Sequence, residues 1–274
     1  MDNSIEIVIV LYQCSLNRSV TFLSLQDKLE KISVEYEIIL YNNDKNQKIE
    51  DQGYLIVNSE ENQKLSGAYN FALERAVRNG KKWILLLDQD TVIPENYFEE
   101  LQKIFMSDYS SDLVAIVPIL ESEGRILSPK KISPNMRFES DVNETGYTRK
   151  RINAVNSMSL LNVNFIETIG GFCKDYSFDL LDQWYYNLIY KHKKLVYILP
   201  VTTKHDSSFV NLENVSVNRY KEFLKVESTF IRKDLGWVKY IFYKLKLVLR
   251  SVRQFVKFEN KKYSFVTLLS IFKV

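Results

Sequence analysis

Cysteine is nearly missing from this chain. Only Cys14 and Cys173 occur among 274 residues, far apart, which excludes a disulfide framework and a cysteine metal cluster and fits a reducing cytosol. Histidine is equally scarce, with His192 and His205 alone. No run of about 18 uninterrupted apolar residues exists, so a membrane-spanning helix is not expected. The apolar start IEIVIVLY at 5–12 is too short for a secretory signal, contains Glu6 and lacks a basic lead-in. Internal repeats and low-complexity segments are missing too. What is present is ordinary for a globular protein, at 46% hydrophobic and 26% charged residues.

The net charge is only +3, yet it is unevenly placed. From Val215 to Val274 there are 14 Lys and Arg against 4 Asp and Glu, which leaves 23 against 30 in the first 214 residues. An acidic body with a basic tail suggests two jobs and an anionic partner for the tail.

Hydrophobic patterning predicts strands at 5–12, 35–44, 54–58, in WILLLDQDT at 83–91, at 112–120 and at 195–200, the last stopped by Pro200. Helical spacing covers 19–31, 64–80, 95–106 and 180–194. Strands alternating with helices argue for a largely parallel, doubly wound sheet. The polar stretch 121–152, with Pro129 and Pro134, reads as loops or a mobile excursion.

Ile84 to Leu87 form an apolar run without polar alternation, as in a strand buried on both faces, and it ends in Asp88-Gln89-Asp90. Ligands of open α/β sheets bind at such strand ends, and two adjacent acids there call for a cation. The structural alternative is that Asp90 or Thr91 merely begins the turn into the next helix. Four further places carry candidate chemistry. Asn42, Asn43 and Asp44 end the second strand, where a side chain can bond a base or ribose, or simply make a turn. NQKLSGAYN at 62–70 leads into a helix whose N–H groups suit a diphosphate, unless Ser66 is only a cap. GGFCKDYSFDLLDQWYYN at 170–187 carries Asp175, Asp179 and Asp182, and Asp182 sits where a helix dipole favours ionisation; a base or a cap are the two readings. His205, in KHDSS beyond Pro200, is a metal-ligand candidate or a structural imidazole.

The order of these features resembles glycosyltransferase family 2, the inverting transferases of GT-A fold, across about residues 4–210. LLLDQDT, with glutamine between the acids, resembles the rhamnosyltransferase branch that builds bacterial surface polysaccharides. Gly170-Gly171-Phe172, then Phe178, Asp179 and Asp182, then His205 keep that branch's order. The resemblance implies an α/β fold, a Rossmann-like mostly parallel sheet flanked by helices, with a C-terminal helical extension. It implies a catalytic domain at 1–210 and a tail at 211–274. It makes Asp182 the base and Asp90, His205 and Asp88 the holders of Mg²⁺ or Mn²⁺. Asn42, Asp44, Lys64, Asn70, Asp88 and Gln89 fall to the nucleotide-sugar donor. The implied reaction moves L-rhamnose from dTDP-rhamnose to a hydroxyl of a lipid-linked saccharide. A UDP-glucose or UDP-galactose transferase, and a degenerate saccharide-binding protein, are the alternatives.

The sequence also departs from the family pattern. Asn42 stands where an aspartate usually reads the pyrimidine. Lys64 replaces a glycine usually found two residues after Asn62. The arginine that usually follows the base by about a turn is missing after Trp184. In the tail, Leu235, Val238, Ile241, Phe242, Leu245, Val248, Leu249, Val252, Phe255 and Val256 repeat by threes and fours beside Lys239, Lys246, Arg250, Arg253 and Lys257. Such a helix suits the anionic inner face of the cell membrane, or packs on the body with its basic side solvated. No nucleic-acid motif is present. A cytoplasmic protein, peripheral on that membrane, is the expectation.

Overall fold

A strand without polar alternation needs cover on both faces, and β1 (Ile5–Leu11) and β4 (Trp83–Leu87) have it, with every residue buried. Side chains such as Leu85, Leu86 and Leu87 are fully enclosed, each worth about 2 kcal/mol of burial. The computed structural model describes residues 3–50, 53–122, 124–133, 139–142, 144–205 and 215–272. The chain divides into two units, Met1–Asp206 and Ser207–Val274. The expected boundary at 210/211, like Asp206 to Ser208 of KHDSS and Pro134, lies outside the described residues.

In the first unit, β1 is followed by α1 (Val20–Gln26), β2 (Tyr36–Asn42), β3 (Leu55–Asn58), α2 (Lys64–Arg78), β4, α3 (Tyr97–Met106) and β5 (Leu113–Ser122). Short strands follow: β6 (Arg125–Ser128), β7 (Lys130–Ile132), β8 (Glu139–Asp141), β9 (Gly146–Thr148) and β10 (Ile152–Asn153). Then come β11 (Ser159–Asn162), α4 (Val163–Thr168), α5 (Leu181–Lys191) and β12 (Leu195–Lys204). The main sheet runs β3-β2-β1-β4-β11-β5-β12-β9, with β6 on β5, and β10-β7-β8 form a small second sheet. The pairs β1–β2, β1–β4, β2–β3 and β5–β12 are parallel. Parallel alignment brings the carboxyl ends of β1, β2 and β4 to one edge, with Leu11 opposite Asn42 and Ile9 opposite Leu87.

Three sequence expectations need correction. β11, antiparallel between β4 and β5, was not anticipated: Ser159-Leu160-Leu161-Asn162 is too short to show a period and lacks β-branched residues. The stretch 121–152 holds short strands rather than loops alone. Pro200 does not end β12, which continues to Lys204 through a register shift between Ile198 and Thr202. An irregularity of that kind is where a sheet tolerates a residue without an N–H.

One charge is enclosed by this packing. Glu6, on β1, is fully buried, and Arg75 Nε lies 3.4 Å from its carboxylate. Burial pushes the carboxyl up to about 7 despite the guanidinium. A carboxyl raised above its unfolded value favours the folded state at low pH, and that contribution is lost as pH rises through about 7. Glu6→Gln is therefore expected to match the wild type near pH 4.5 and to be more stable by about 1–3 kcal/mol at pH 8. Thermal unfolding at the two pH values tests this; an equal difference at both would remove burial as the cause.

In the second unit α6 (Val217–Phe230) leads through a π turn (Ile231–Leu235) to α7 (Trp237–Lys257) and α8 (Lys262–Ser270). Its interior is Tyr220, Leu224, Tyr240, Tyr243, Leu247 and Tyr263.

Candidate active site

Asp88, Gln89, Asp90 and Thr91 leave the end of β4 as a loop that neighbouring segments hold from several sides. The N–H of Tyr12, just past β1, donates to Gln89 Oε1 at 2.8 Å. Ser19 caps α1 by accepting from the Phe22 N–H and donates its own hydroxyl to the Gln89 carbonyl at 3.0 Å. The Thr21 hydroxyl donates to the Thr91 carbonyl at 2.8 Å and accepts from the Thr91 N–H at 2.9 Å. The glutamine between the two acids thus ties β4 to the loop after β1, and its carbonyl group is committed to that task.

Asp88, Asp90 and His205 converge. Their ligating atoms lie within 4.8 Å of one another. His205 follows β12, its N–H donating to the Glu121 carbonyl at 2.9 Å, and its Nδ1 lies 2.9 Å from the Thr91 hydroxyl oxygen. Nδ1 also lies 3.7 Å from Asp88 Oδ2, so the ring edge that meets Thr91 faces the acid as well. Ser157, just ahead of β11, donates to Asp88 Oδ2. Asp88 Oδ1 is buried without a hydrogen-bond partner, which is costly for a carboxylate unless a cation sits against it. Two carboxylates, an imidazole and that orphaned oxygen fit a divalent ion of the Mg²⁺ or Mn²⁺ kind.

Asp182 sits in the first turn of α5 and belongs to the same neighbourhood. Tyr69, buried on α2, has its hydroxyl pushed upward by burial and then by the charges of both Asp88 and Asp182. Burial raises the Asp182 carboxyl to about 6, opposed by N–H groups including that of Gln183 at 2.7 Å, while the charges of Asp179 and Glu139 add to the rise. A carboxylate at about 6 is ionised at neutral pH and still a stronger base than an ordinary aspartate, the balance a general base needs. Leu180, just before α5, has φ +61, a left-handed conformation that a non-glycine residue adopts only when its surroundings enforce it.

The remaining candidates also make contacts within the protein. Asn42 spends its amide within its own loop: Nδ2 donates to the carbonyls of Asp44 and Gln47 and to Asn58, and Oδ1 accepts from the Asp44 N–H. Asp44 caps the next turn through the Asn46 N–H. Lys64 opens α2 with φ +57, the conformation in which glycine is favoured, so the family's glycine at this position has a backbone reason. Several N–H groups expected to face a diphosphate are already taken: Gln63 donates to Asn43, Lys64 to Asn62 and Ser66 to the Ser177 carbonyl. Ser66 is not a cap but lies inside the helix. Asn70 grips the Phe172 backbone with both amide atoms, each at 2.8 Å. Gly171 beside it has φ +84, and a Cβ there would meet Asn70 Oδ1 at 2.7 Å. Asn70 thereby anchors the segment that leads to Asp182.

Sequence reasoning missed Thr21 and Ser157 and saw Thr91 only as a candidate cap; a lone hydroxyl has no signature until its partner is placed beside it. It missed Arg151 as well. No arginine follows Asp182 on α5, but Arg151, from the segment before β10, donates to Asn187 Oδ1 at 2.5 Å.

A mostly parallel sheet flanked by helices, with two acids and a histidine gathered at its carboxyl edge, is an α/β architecture of GT-A fold. The chain belongs to glycosyl transferase family 2, whose family model matches residues 7–170. Solved structures share the fold. S. aureus TarS 1–349 is 12% identical with a TM-score of 0.55, over 98% of this chain and 81% of that one, and has also been solved with UDP-GlcNAc. Mannosyltransferase PcManGT from Pyrobaculum calidifontis, in complex with GDP-Man and Mn²⁺, is 12% identical with a TM-score of 0.54, over 97% of this chain and 73% of that one. No protein of curated function matches the sequence.

Proposed function

We propose that this glycosyltransferase moves L-rhamnose from dTDP-rhamnose to a hydroxyl of a lipid-linked saccharide, in bacterial surface polysaccharide synthesis, with inversion at the anomeric carbon. The observation that carries the chemistry is the Asp88, Asp90 and His205 cluster with its orphaned Asp88 oxygen, together with a raised Asp182 whose charge, like that of Asp88, bears on Tyr69. The choice of sugar rests on the LLLDQDT form and the order of the later motifs.

Asp182 accepts the proton of the acceptor hydroxyl as that oxygen bonds to the anomeric carbon. The bond from that carbon to the diphosphate oxygen breaks on the opposite face, and the nucleoside diphosphate leaves. A divalent cation held by Asp88, Asp90 and His205 would supply charge neutralisation for the departing diphosphate. Thr91 holds the imidazole beside the two acids, Ser157 orients Asp88, and Asn70 fixes the loop before Asp182. Positioning and electrostatics account for most of the rate.

The second reading, a UDP-hexose donor, draws on Asn42: its amide is consumed inside its own loop, so this position gives no reason to prefer thymine over uracil. Calorimetric titration with dTDP-rhamnose, UDP-glucose and UDP-galactose, each with and without Mn²⁺, tests both. Metal-dependent binding of dTDP-rhamnose alone is the expected result. Preference for a UDP-sugar would overturn the donor and keep the mechanism.

A further inference from the structure

Helix α7 buries its less apolar side. Viewed at about 100° per residue, its positions fall into three arcs. Tyr240, Tyr243, Leu247, Ser251 and Gln254 face inward and are buried. Lys246, Arg253 and Lys257 are exposed on the next arc, with Lys239 and Arg250 at its edges. The third arc carries Val238, Ile241, Leu245, Leu249, Val252 and Val256, all exposed, among them Leu249 at 72% and Val256 at 74%. Ten of the helix's 21 residues are exposed large hydrophobics.

The inward arc is held by polar contacts that leave this orientation little freedom. Gln254 Nε2 donates to the Tyr220 hydroxyl at 2.9 Å, while Gln254 Oε1 accepts from Thr267 at 2.6 Å. Ser251 bonds Ser264, and Arg250 meets both Glu227 oxygens, at 2.7 and 3.0 Å. Rolling the helix to bury its apolar arc would break this network and strand its buried members. The apolar arc continues onto α8 through the Phe255 and Phe265 rings, 6.4 Å apart, and on to the exposed Leu268, Leu269 and Phe272.

We infer that this apolar arc and its basic border seat the second unit on an anionic lipid surface, α7 lying in the plane of the headgroups. The inference stands on the geometry of the tail and not on the donor or the transfer reaction. Charge decides between occupants. Helix α7 carries six Lys and Arg and no Asp or Glu, and α8 carries no acid either. The tail of a second copy laid on the apolar arc would set cations beside cations, whereas acidic lipid headgroups complement them. No helix among the described residues is long and apolar enough to cross a membrane, so the arc lies on the surface.

The test is co-sedimentation of the full chain with phosphatidylcholine vesicles and with vesicles that also contain phosphatidylglycerol, without donor or acceptor. Binding to the anionic vesicles at least about tenfold tighter than to the neutral ones, weakened by salt, is expected. Leu249→Glu with Val252→Glu should abolish it, and Lys246→Gln with Arg253→Gln should weaken it by about fivefold per charge. All four side chains are exposed, so circular dichroism and thermal unfolding should be unchanged. Equal vesicle binding by the glutamate variant would overturn the inference. So would a wild-type dimer that the same variant dissociates, with no vesicle binding. Because donor binding is read separately, either failure leaves the transfer reaction untouched.

Discussion

Asp182→Asn is expected to lower kcat by about 10²–10⁴-fold, the range a positioned general base supplies, while leaving donor affinity within about twofold, since the effect falls on the transition state. Asparagine keeps the size of the side chain and an oxygen able to accept from the Gln183 N–H, so the first turn of α5 has no reason to change. The pH profile gives a second, independent readout. With the carboxyl at about 6, kcat/KM should be level above that value and fall about tenfold per unit below it, because only the ionised form accepts a proton. The residual activity of the asparagine variant should lose that acid limb. Hydrolysis of the nucleotide sugar, with water standing in for the acceptor, can be followed for both proteins across this range. A variant that retains turnover, or retains the limb, would remove Asp182 from the role of base.

The order of elements was legible because it rests on local signals. The buried runs of β1 and β4 have no polar alternation, and α2 stops at Asn79-Gly80, so each shows itself within a window of ten residues. The acids at the end of β4 and Asp182 could be named for the same reason: strand ends and helix starts are local. What stayed hidden depends on partners distant in the chain. Asn70 and Phe172 are joined at a separation of 102 residues, Thr91 and His205 at 114, and no spacing rule connects them. Asn42 illustrates a different limit. Its position suits base recognition, yet the nearby Asp44, Gln47 and Asn58 satisfy its amide first, since local backbone partners compete for such a side chain. The tail shows a third case. Its three-and-four repeat was plain, but periodicity gives the faces of a helix and not which face turns inward; Tyr243 and Gln254 won the interior because α6 and α8 offer them hydrogen-bond partners.

Asp88→Asn should act in opposite directions on the metal-free and metal-bound protein. Without a cation, Asp88 contributes a carboxylate oxygen that is buried and unpartnered, beside Asp90. Removing that charge relieves a cost, so the metal-free variant should unfold at the wild-type temperature or slightly above it. The Ser157 hydroxyl keeps an acceptor in the amide oxygen, which limits structural change. With Mn²⁺ and dTDP present, the wild type should gain stability by mass action, about 2.7 kcal/mol at a hundredfold excess over Kd, and EDTA should reverse the gain. The variant should lose most of it, because the site has given up one of its two negative charges. Thr91→Val separates positioning from ligation: all three candidate ligands remain, but the imidazole loses its partner, and Mn²⁺ affinity should fall by about 10–100-fold rather than vanish. Thermal unfolding and calorimetry on the three proteins give the comparison. A metal-free Asp88→Asn protein markedly less stable than the wild type would make the carboxylate structural, and unchanged Mn²⁺ affinity would take Asp88 out of the metal site. Only a group placed to hold a cation, and strained when the cation is withheld, predicts both signs at once.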